Sequence, residues 1–185
     1  IGDLHPAAYT GTPSFLRILL EKATEAGVDI GCIRKASVGG EACPPSLTAW
    51  FKERGVDVYQ TYATADLGLV AYETPAREGL VLEERVIVEI VRPGTGDPVP
   101  EGEVGELVVT TLNPAYPLIR FGTGDLSAIL PGTCPTGRTN TRIKPRRPDH
   151  QDPRHVRSSG PGGGDRQAVP RHRQGTPGRD RGNGQ

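Results

Sequence analysis

The sequence predicts an α/β protein: a parallel βαβ sheet followed by a β-rich subdomain, with a disordered C-terminal tail. Three observations carry that expectation. Between residues 12 and 60, helix-period and strand-period apolar patterns follow one another across short Gly- or Pro-containing joints. Between residues 86 and 130 only short, β-branched stretches remain. Residues 145–185 contain no Leu, Ile, Phe, Tyr, Trp or Cys, and such a segment cannot bury enough apolar surface to offset its ordering entropy.

The first element is a helix opened by Thr12 as N-cap and Pro13 at the first helical position, where a missing amide costs nothing. Phe15, Leu16, Leu19, Leu20 and Ala23 are expected on its inner face, and Gly27 is expected to end it. Ile33 to Val38 alternates like a half-buried strand and stops at Gly39-Gly40. Pro44-Pro45-Ser46 opens a second helix, with Leu47, Trp50 and Phe51 inward and Gly55 at its close. Val56 to Tyr59 reads as the next strand. Strand, helix and strand with short joints make a βαβ unit over residues 33–60. Val86 to Val91 and Glu106 to Thr111 are further strands, joined by the turn-rich Pro93–Gly105 segment. Leu126 to Leu130 is a last short strand after a Gly-Thr-Gly-Asp turn.

The composition agrees with one modest domain plus a tail, since 25 Gly and 18 Pro with 35% hydrophobic residues is breaker-rich for 185 residues. The net charge of zero averages two unlike parts. Residues 1–144 hold 13 Lys/Arg against 18 Asp/Glu, and residues 145–185 hold 9 against 4. Cys32, Cys43 and Cys134 are too scattered for a disulfide framework, and Cys134 lacks a second Cys for a metal knuckle. Buried or bystander thiols in a reducing cytoplasm are the expectation. No apolar run approaches the roughly 20 residues of a membrane span. The chain opens on Ile1 and has no Met, so it is expected to be an internal fragment.

Three segments carry candidate chemistry. Tyr116-Pro-Leu-Ile-Arg-Phe-Gly-Thr-Gly-Asp125 sets Arg120 and Asp125 around glycines, suiting a phosphate and the hydroxyls of a ribose. Ser37-Val-Gly-Gly-Glu41 follows a strand's carboxyl end, where ligands enter open α/β sheets, and its glycines let a flat ring approach the main chain. Tyr59-Gln-Thr-Tyr62-Ala-Thr64-Ala-Asp66 gathers in one loop an aromatic face, a hydroxyl and a carboxylate, suited to stacking, phosphate contact and a metal ion. Taken singly, the first two are more simply read as turns, and for the third a surface loop with a packed Tyr is an equal reading.

In order and approximate spacing, the Gly39-Gly40-Glu41 turn, the Tyr62-to-Asp66 loop and the Gly122-Thr-Gly-Asp125 turn resemble the adenylate-forming superfamily of acyl-CoA synthetases. Thr12-Pro-Ser-Phe15, Tyr116-Pro-Leu-Ile-Arg-Phe, Leu130-Pro-Gly-Thr-Cys134 and Gly137-Arg-Thr139 resemble its phenylacetate–CoA ligase branch, and the similarity covers nearly all of residues 1–144. The resemblance implies part of the large N-terminal domain of a cytoplasmic ligase acting on ATP, an aryl acid such as phenylacetate, and CoA, with Mg²⁺. It implies that Gly39, Gly40 and Glu41 border the adenine, Tyr62 stacks on it, Asp66 helps hold Mg²⁺ and the phosphates, and Asp125 grips the ribose, with Arg120 a weaker assignment. The superfamily loop usually reads Tyr-Gly-x-Thr-Glu. Here Ala63, Ala65 and Asp66 stand instead, so the phosphate hydroxyl is absent or moved to Thr64.

The superfamily's upstream phosphate-gripping loop and its C-terminal domain with a catalytic lysine have no counterpart in the chain, so the expectation is weak nucleotide binding without catalysis. The alternative is a non-catalytic nucleotide-binding or interaction module. A one-base slip in reading frame, with suitable synonymous codons, converts Pro145 through Val156 into Arg-Ala-Asp-Gln-Thr-Thr-Lys-Ile-Arg-Gly-Met-Phe, which resembles the superfamily's hinge. Residues 145–185 are therefore expected to be frameshifted hinge and C-terminal domain sequence. A nucleic-acid-binding tail is the competing reading, and the lack of interleaved aromatics together with four acidic residues argues against it.

Overall fold

Thr12 starts the first helix as its chemistry requires. Its backbone is extended, and its Oγ1 accepts the Phe15 amide at 3.3 Å, satisfying one of the donors a helix N-terminus leaves unpaired. The computed structural model describes residue 1, residues 3–145 and the backbone of residues 147–148. The expectation of a disordered tail over 145–185 otherwise lies outside the described residues. Strand β1 (Ala8–Gly11) leads through Thr12 into helix α1 (Pro13–Glu25), and Gly27, at φ 66°, supplies the left-handed residue just after it. Pro13, Leu16 and Leu20 are buried. Phe15, expected with them, is 54% exposed, because at 3.6 residues per turn it falls away from that line. Leu19 is only partly covered.

Strand β2 (Lys35–Val38) is shorter than expected because the Ile33 amide closes a turn on the Ile30 carbonyl. Helix α2 (Pro45–Glu53) buries Phe51 fully, with Leu47 and Trp50 partly covered beside it. Strand β3 (Asp57–Thr64) runs five residues past its expected end. β1, β2 and β3 are parallel, with Ala36 opposite both Tyr9 and Val58. The helices cover this sheet through Leu16, Leu20, Val38, Phe51 and Val58. Trp50 adds a tie between the helices: the Arg54 guanidinium lies 3.6 Å from its ring centroid and that of Arg17, on α1, lies 5.5 Å away.

The Tyr59–Asp66 loop is therefore corrected to a strand as far as Thr64. The first half of β3 pairs with β2, and its second half pairs antiparallel with β4 (Gly68–Glu73), so a new partner keeps the backbone extended. Only residues 65–67 turn. The chain continues as β5 (Leu80–Leu82), β6 (Val86–Val91), β7 (Gly105–Thr111), β8 (Phe121–Ser127), β9 (Ile129–Leu130), β10 (Arg142–Ile143) and β11 (Arg147–Pro148). One sheet has the order β1-β2-β3-β4-β5-β10-β9, and a second has β11-β8-β7-β6.

The Gly-Thr-Gly-Asp segment is likewise corrected from a turn to part of β8. Val108 pairs with Gly122 and Glu106 with Leu126, so the irregularity between Glu106 and Val108 absorbs two extra residues of β8 without ending the ladder. The strand expected over Leu126–Leu130 is divided at buried Ala128, where the chain leaves one sheet for the other. Tyr62, Val70, Leu80, Ile90, Leu107, Val109 and Ile143 form the core of this antiparallel region. No helix among the described residues is long and apolar enough to cross a membrane, and the three cysteines are free, Cys43 and Cys134 being buried.

Candidate functional site

Gly39 and Gly40 end β2 for two different reasons. A Cβ on Gly39 would lie 2.8 Å from Thr61 Oγ1 and 3.0 Å from the Thr61 carbonyl oxygen, so no side chain fits without a shift. Thr61 Oγ1 itself donates to the Val38 carbonyl at 3.2 Å, holding β3 against the turn. Gly40 has φ 77°, the left-handed region that a Cβ disfavours. Together they bare the main chain at the carboxyl end of β2. The next residue, Glu41, is anchored by α1: its Oε1 accepts Ser14 Oγ at 2.8 Å. Tyr9 closes the same corner by donating its hydroxyl to the Thr12 carbonyl at 3.0 Å, and burial, followed by the Glu41 charge, pushes its phenol up.

The second half of the site joins the two sheets. Tyr62, on β3, is 4% exposed and donates its hydroxyl to Asp125 Oδ2 at 2.9 Å, across 63 residues of sequence. Asp125 is half-buried on β8, where Gly124 takes φ 70°. Thr123 braces the carboxylate's backbone: its Oγ1 accepts the Asp125 amide at 3.2 Å and donates to the Leu107 carbonyl at 2.8 Å. Thr61, which packs against Gly39, directly precedes Tyr62, so the glycine turn, the aromatic ring and the carboxylate follow one another around the end of β3.

Thr64 and Asp66 lie at the far end of that strand. Thr64 Oγ1 accepts the Leu67 amide at 3.0 Å, a role that leaves its own proton available to donate. Asp66 is exposed in the turn. Among the described residues no three metal-ligating side chains gather. A lone exposed carboxylate does fit Mg²⁺, which is commonly held by one or two carboxylates plus substrate phosphates. Arg120, at φ 49°, is tied to the β6–β7 hairpin, its Nε 3.1 Å from Glu89 Oε2 and its Nη2 2.8 Å from the Gly96 carbonyl.

A groove of about 1170 Å³ opens along α2 and β3, with Gly40, Glu41, Tyr62 and Ala63 among its lining. Arg77 lines it too, a residue that sequence reading passed over. Its guanidinium lies 4.1 Å from the Tyr59 ring centroid, pairs with Glu73 at 2.8 Å and with Asp57, and donates to the Val58 carbonyl. Tyr59 donates to Asp57 at 2.7 Å, and this bond raises its phenol. Ser14 and Thr61 were also passed over. A hydroxyl within the Thr-Pro-Ser start of a helix reads as capping, and only the fold turns it toward Glu41. The two buried thiols differ in setting: burial pushes Cys43 up, whereas a hydrogen bond with Thr136 at 3.1 Å lowers Cys134.

Comparison with known proteins gives a consistent likeness. The family model for AMP-binding enzymes matches residues 1–115, which takes in Gly39 through Asp66 and stops before Arg120 and Asp125. The phenylacetate-coenzyme A ligase of Thermus thermophilus is 33% identical over 153 residues, covering 78% of this chain and 34% of that protein. The phenylacetate-coenzyme A ligase of Escherichia coli is 33% identical over 158 residues, covering 80% and 36%. The chain thus spans about a third of the length of these curated relatives. Among solved structures, an open conformation of 2-hydroxyisobutyryl-CoA ligase in complex with 2-HIB-AMP and CoA superimposes with a TM-score of 0.70. It is 26% identical, with 77% of this chain and 33% of that one covered.

Proposed function

Because the chain belongs to the AMP-binding enzyme family, we propose that it is the nucleotide-holding part of an ATP-dependent aryl-acid–CoA ligase, able by itself to bind AMP weakly but not to complete the reaction. In the whole ligase the acid's carboxylate oxygen attacks the α-phosphorus of ATP, the bond to pyrophosphate breaks, and an acyl adenylate forms. The CoA thiol, losing its proton, then attacks the acyl carbonyl, and AMP leaves. Phenylacetate or a close aryl acid is the substrate, as the phenylacetate-coenzyme A ligases among its relatives suggest.

The residues of this chain would bind and orient. Bare main chain at Gly39-Gly40 and the ring of Tyr62 would enclose the adenine, with Glu41 at its edge. Asp125 would accept hydrogen bonds from the ribose hydroxyls. Thr64 retains a donor for a phosphate oxygen, Asp66 would take Mg²⁺ beside the phosphates, and Arg120 stands as an outlying cation. Mg²⁺, when bound, would neutralise charge on the pyrophosphate being released. A cytoplasmic setting suits the three free thiols.

The observation that carries this reading is the Tyr62–Asp125 hydrogen bond of 2.9 Å, which unites on two sheets the two residues that separate motifs singled out. Calorimetry with AMP and a phenylacetyl adenylate analogue tests it: saturable binding is expected, with ATP–pyrophosphate exchange at background. An unchanged chain that binds neither ligand removes the nucleotide-site reading, and exchange above background removes the claim of inactivity. Residues 1–144 would be the AMP-binding part, and residues 145–185 out-of-frame hinge sequence. Resequencing the coding DNA across codons 130–185 checks this, since an unaltered reading frame rules out the frameshift.

A further inference from the structure

We propose that Cys134 is a modification site, at which a small peroxide converts the thiol to a sulfenic acid inside a buried polar pocket. Among the described residues three polar or charged side chains are buried, and two of them, Thr74 and Arg142, flank this sulfur. The Thr74 hydroxyl lies 3.6 Å from Cys134 Sγ. The Thr136 hydroxyl lies 3.1 Å from it, within a tight turn closed by the Gly137 amide on the Cys134 carbonyl at 2.9 Å. Arg142, 6% exposed, ties together the two connections that carry Thr74 and Cys134: its Nη1 donates to the Glu78 carbonyl and its Nη2 to the Pro131 carbonyl, each at 2.9 Å. Its Nε has no partner among the described residues, and the Glu78 carboxylate 3.3 Å from Nη1 is 61% exposed. A buried cation so incompletely offset favours negative charge beside it. Thr136 first, then Thr74 and Arg142, hold the thiol below its ordinary value against the effect of burial. The thiolate is the nucleophilic form of cysteine. Pro135, Thr136 and Gly137 are exposed, so the sulfur lies one turn beneath the surface, open to a molecule little larger than water. In the reaction the thiolate sulfur attacks one peroxide oxygen, and the S–O bond forms as the O–O bond breaks. Sulfur is oxidised by two electrons, and the departing hydroxide takes up the proton lost by the thiol and leaves as water. The unpaired Arg142 Nε–H and the two hydroxyls supply donors for the new oxygen.

The three cysteines compete in one experiment. The full chain, reduced and then freed of reductant, is exposed to hydrogen peroxide for increasing times and quenched with catalase. It is then unfolded in dimedone, so that every sulfenic acid is trapped whatever its burial, and peptide mass spectrometry reads the extent at each position. Cys134 is expected to be labelled about 10-fold faster than Cys43, which is buried without such a pocket, and faster than the half-covered Cys32. Thr136→Ala, at an exposed position, and Thr74→Val, which keeps the side-chain shape, are each expected to slow Cys134 about 10-fold, the scale of a hydrogen bond to a charged group. Both should leave the rate at Cys32 unchanged, with thermal melts confirming the fold. Peroxide treatment in urea is expected to abolish the preference for Cys134. Labelling that simply follows exposure, with Cys32 fastest, overturns the proposal. So does an unchanged Cys134 rate in Thr136→Ala, or a preference that survives unfolding. If Thr74→Val does not fold, the ranking of the three thiols and the Thr136→Ala rate decide between them.

Discussion

The helix-covered strands β1 to β3 and the antiparallel strands that follow are built on different length scales. In the first region each element packs on its neighbours in sequence, and the core of Leu16, Val38, Phe51 and Val58 is drawn from fewer than fifty consecutive residues. In the second, buried Arg142 donates to the Glu78 carbonyl across 64 residues, and β10 joins β5 to β9. The difference shows why one half is written in local periodicity and the other is not. A helix laid on two adjacent strands needs an apolar face at fixed spacing, whereas a short strand in a large sheet needs only a partner's edge. The candidate site lies where the regions meet, because β3 is shared by both.

The strongest way to break the comparison is to damage each core separately. Phe51→Ala is expected to cost about 3–5 kcal/mol and Leu107→Ala about 2–5 kcal/mol, since both side chains are essentially inaccessible. Trp50 is the chain's single Trp, so its fluorescence reports the helix-covered region, while far-UV circular dichroism reports both. Coincident urea transitions are expected in both variants, because β3 welds the regions into one cooperative unit. Transitions that separate in Phe51→Ala would show two independent units instead.

Gly39→Ala tests the seam itself. The new methyl would meet Thr61 at 2.8 Å, so a loss of about 1–3 kcal/mol is expected in denaturant melts. Adding Thr61→Ser leaves the hydroxyl in place and should restore little; Thr61→Ala removes the clashing oxygen and should restore more. A smaller effect is expected inside the helix-covered region alone, where Thr12→Ala removes the α1 cap at a cost of about 1 kcal/mol.

The smallest expected effect lies at the start of the β-only region. The Arg85 amide and then its side chain hold the Glu83 carboxyl below its ordinary value. A group lowered in the folded state adds stability above its unfolded pKa, and that stability is lost as pH falls through the lower folded value. The stability gap between the unchanged chain and Glu83→Gln is therefore expected to shrink between neutral pH and about pH 3. A gap that stays constant over that range in parallel melts would remove the assignment.

Much of the fold was legible because its signals are local. Thr12-Pro13 marks a helix start by a side-chain oxygen and a missing amide, both visible in the sequence, and the Gly39-Gly40 turn ends a strand as expected. Legibility failed where the partner decides. Gly122-Thr123-Gly124-Asp125 has turn composition, yet β7 supplies a ladder and a bulge takes up the strain. The stretch after Tyr59 reads as a loop, yet Gln60 pairs with β2 and β4 returns alongside Thr61 to Thr64, which keeps the chain extended. Of the candidate site, the residue types and their order were legible. The anchoring of Glu41 by Ser14, the filling of the Gly39 cavity by Thr61 and the Arg77 cluster were not, because none of these spacings belongs to a helix or strand period.

By itself, the sequence determined the α/β class, the two helices with their starts, the parallel βαβ unit, and the glycines, Tyr62 and Asp125 as the chemistry worth following. Tertiary structure alone decided that Tyr62 and Asp125 meet. The reason is physical: propensity and periodicity act over a few residues, but a hydrogen bond between side chains on two sheets exists only after both sheets have packed on a common core.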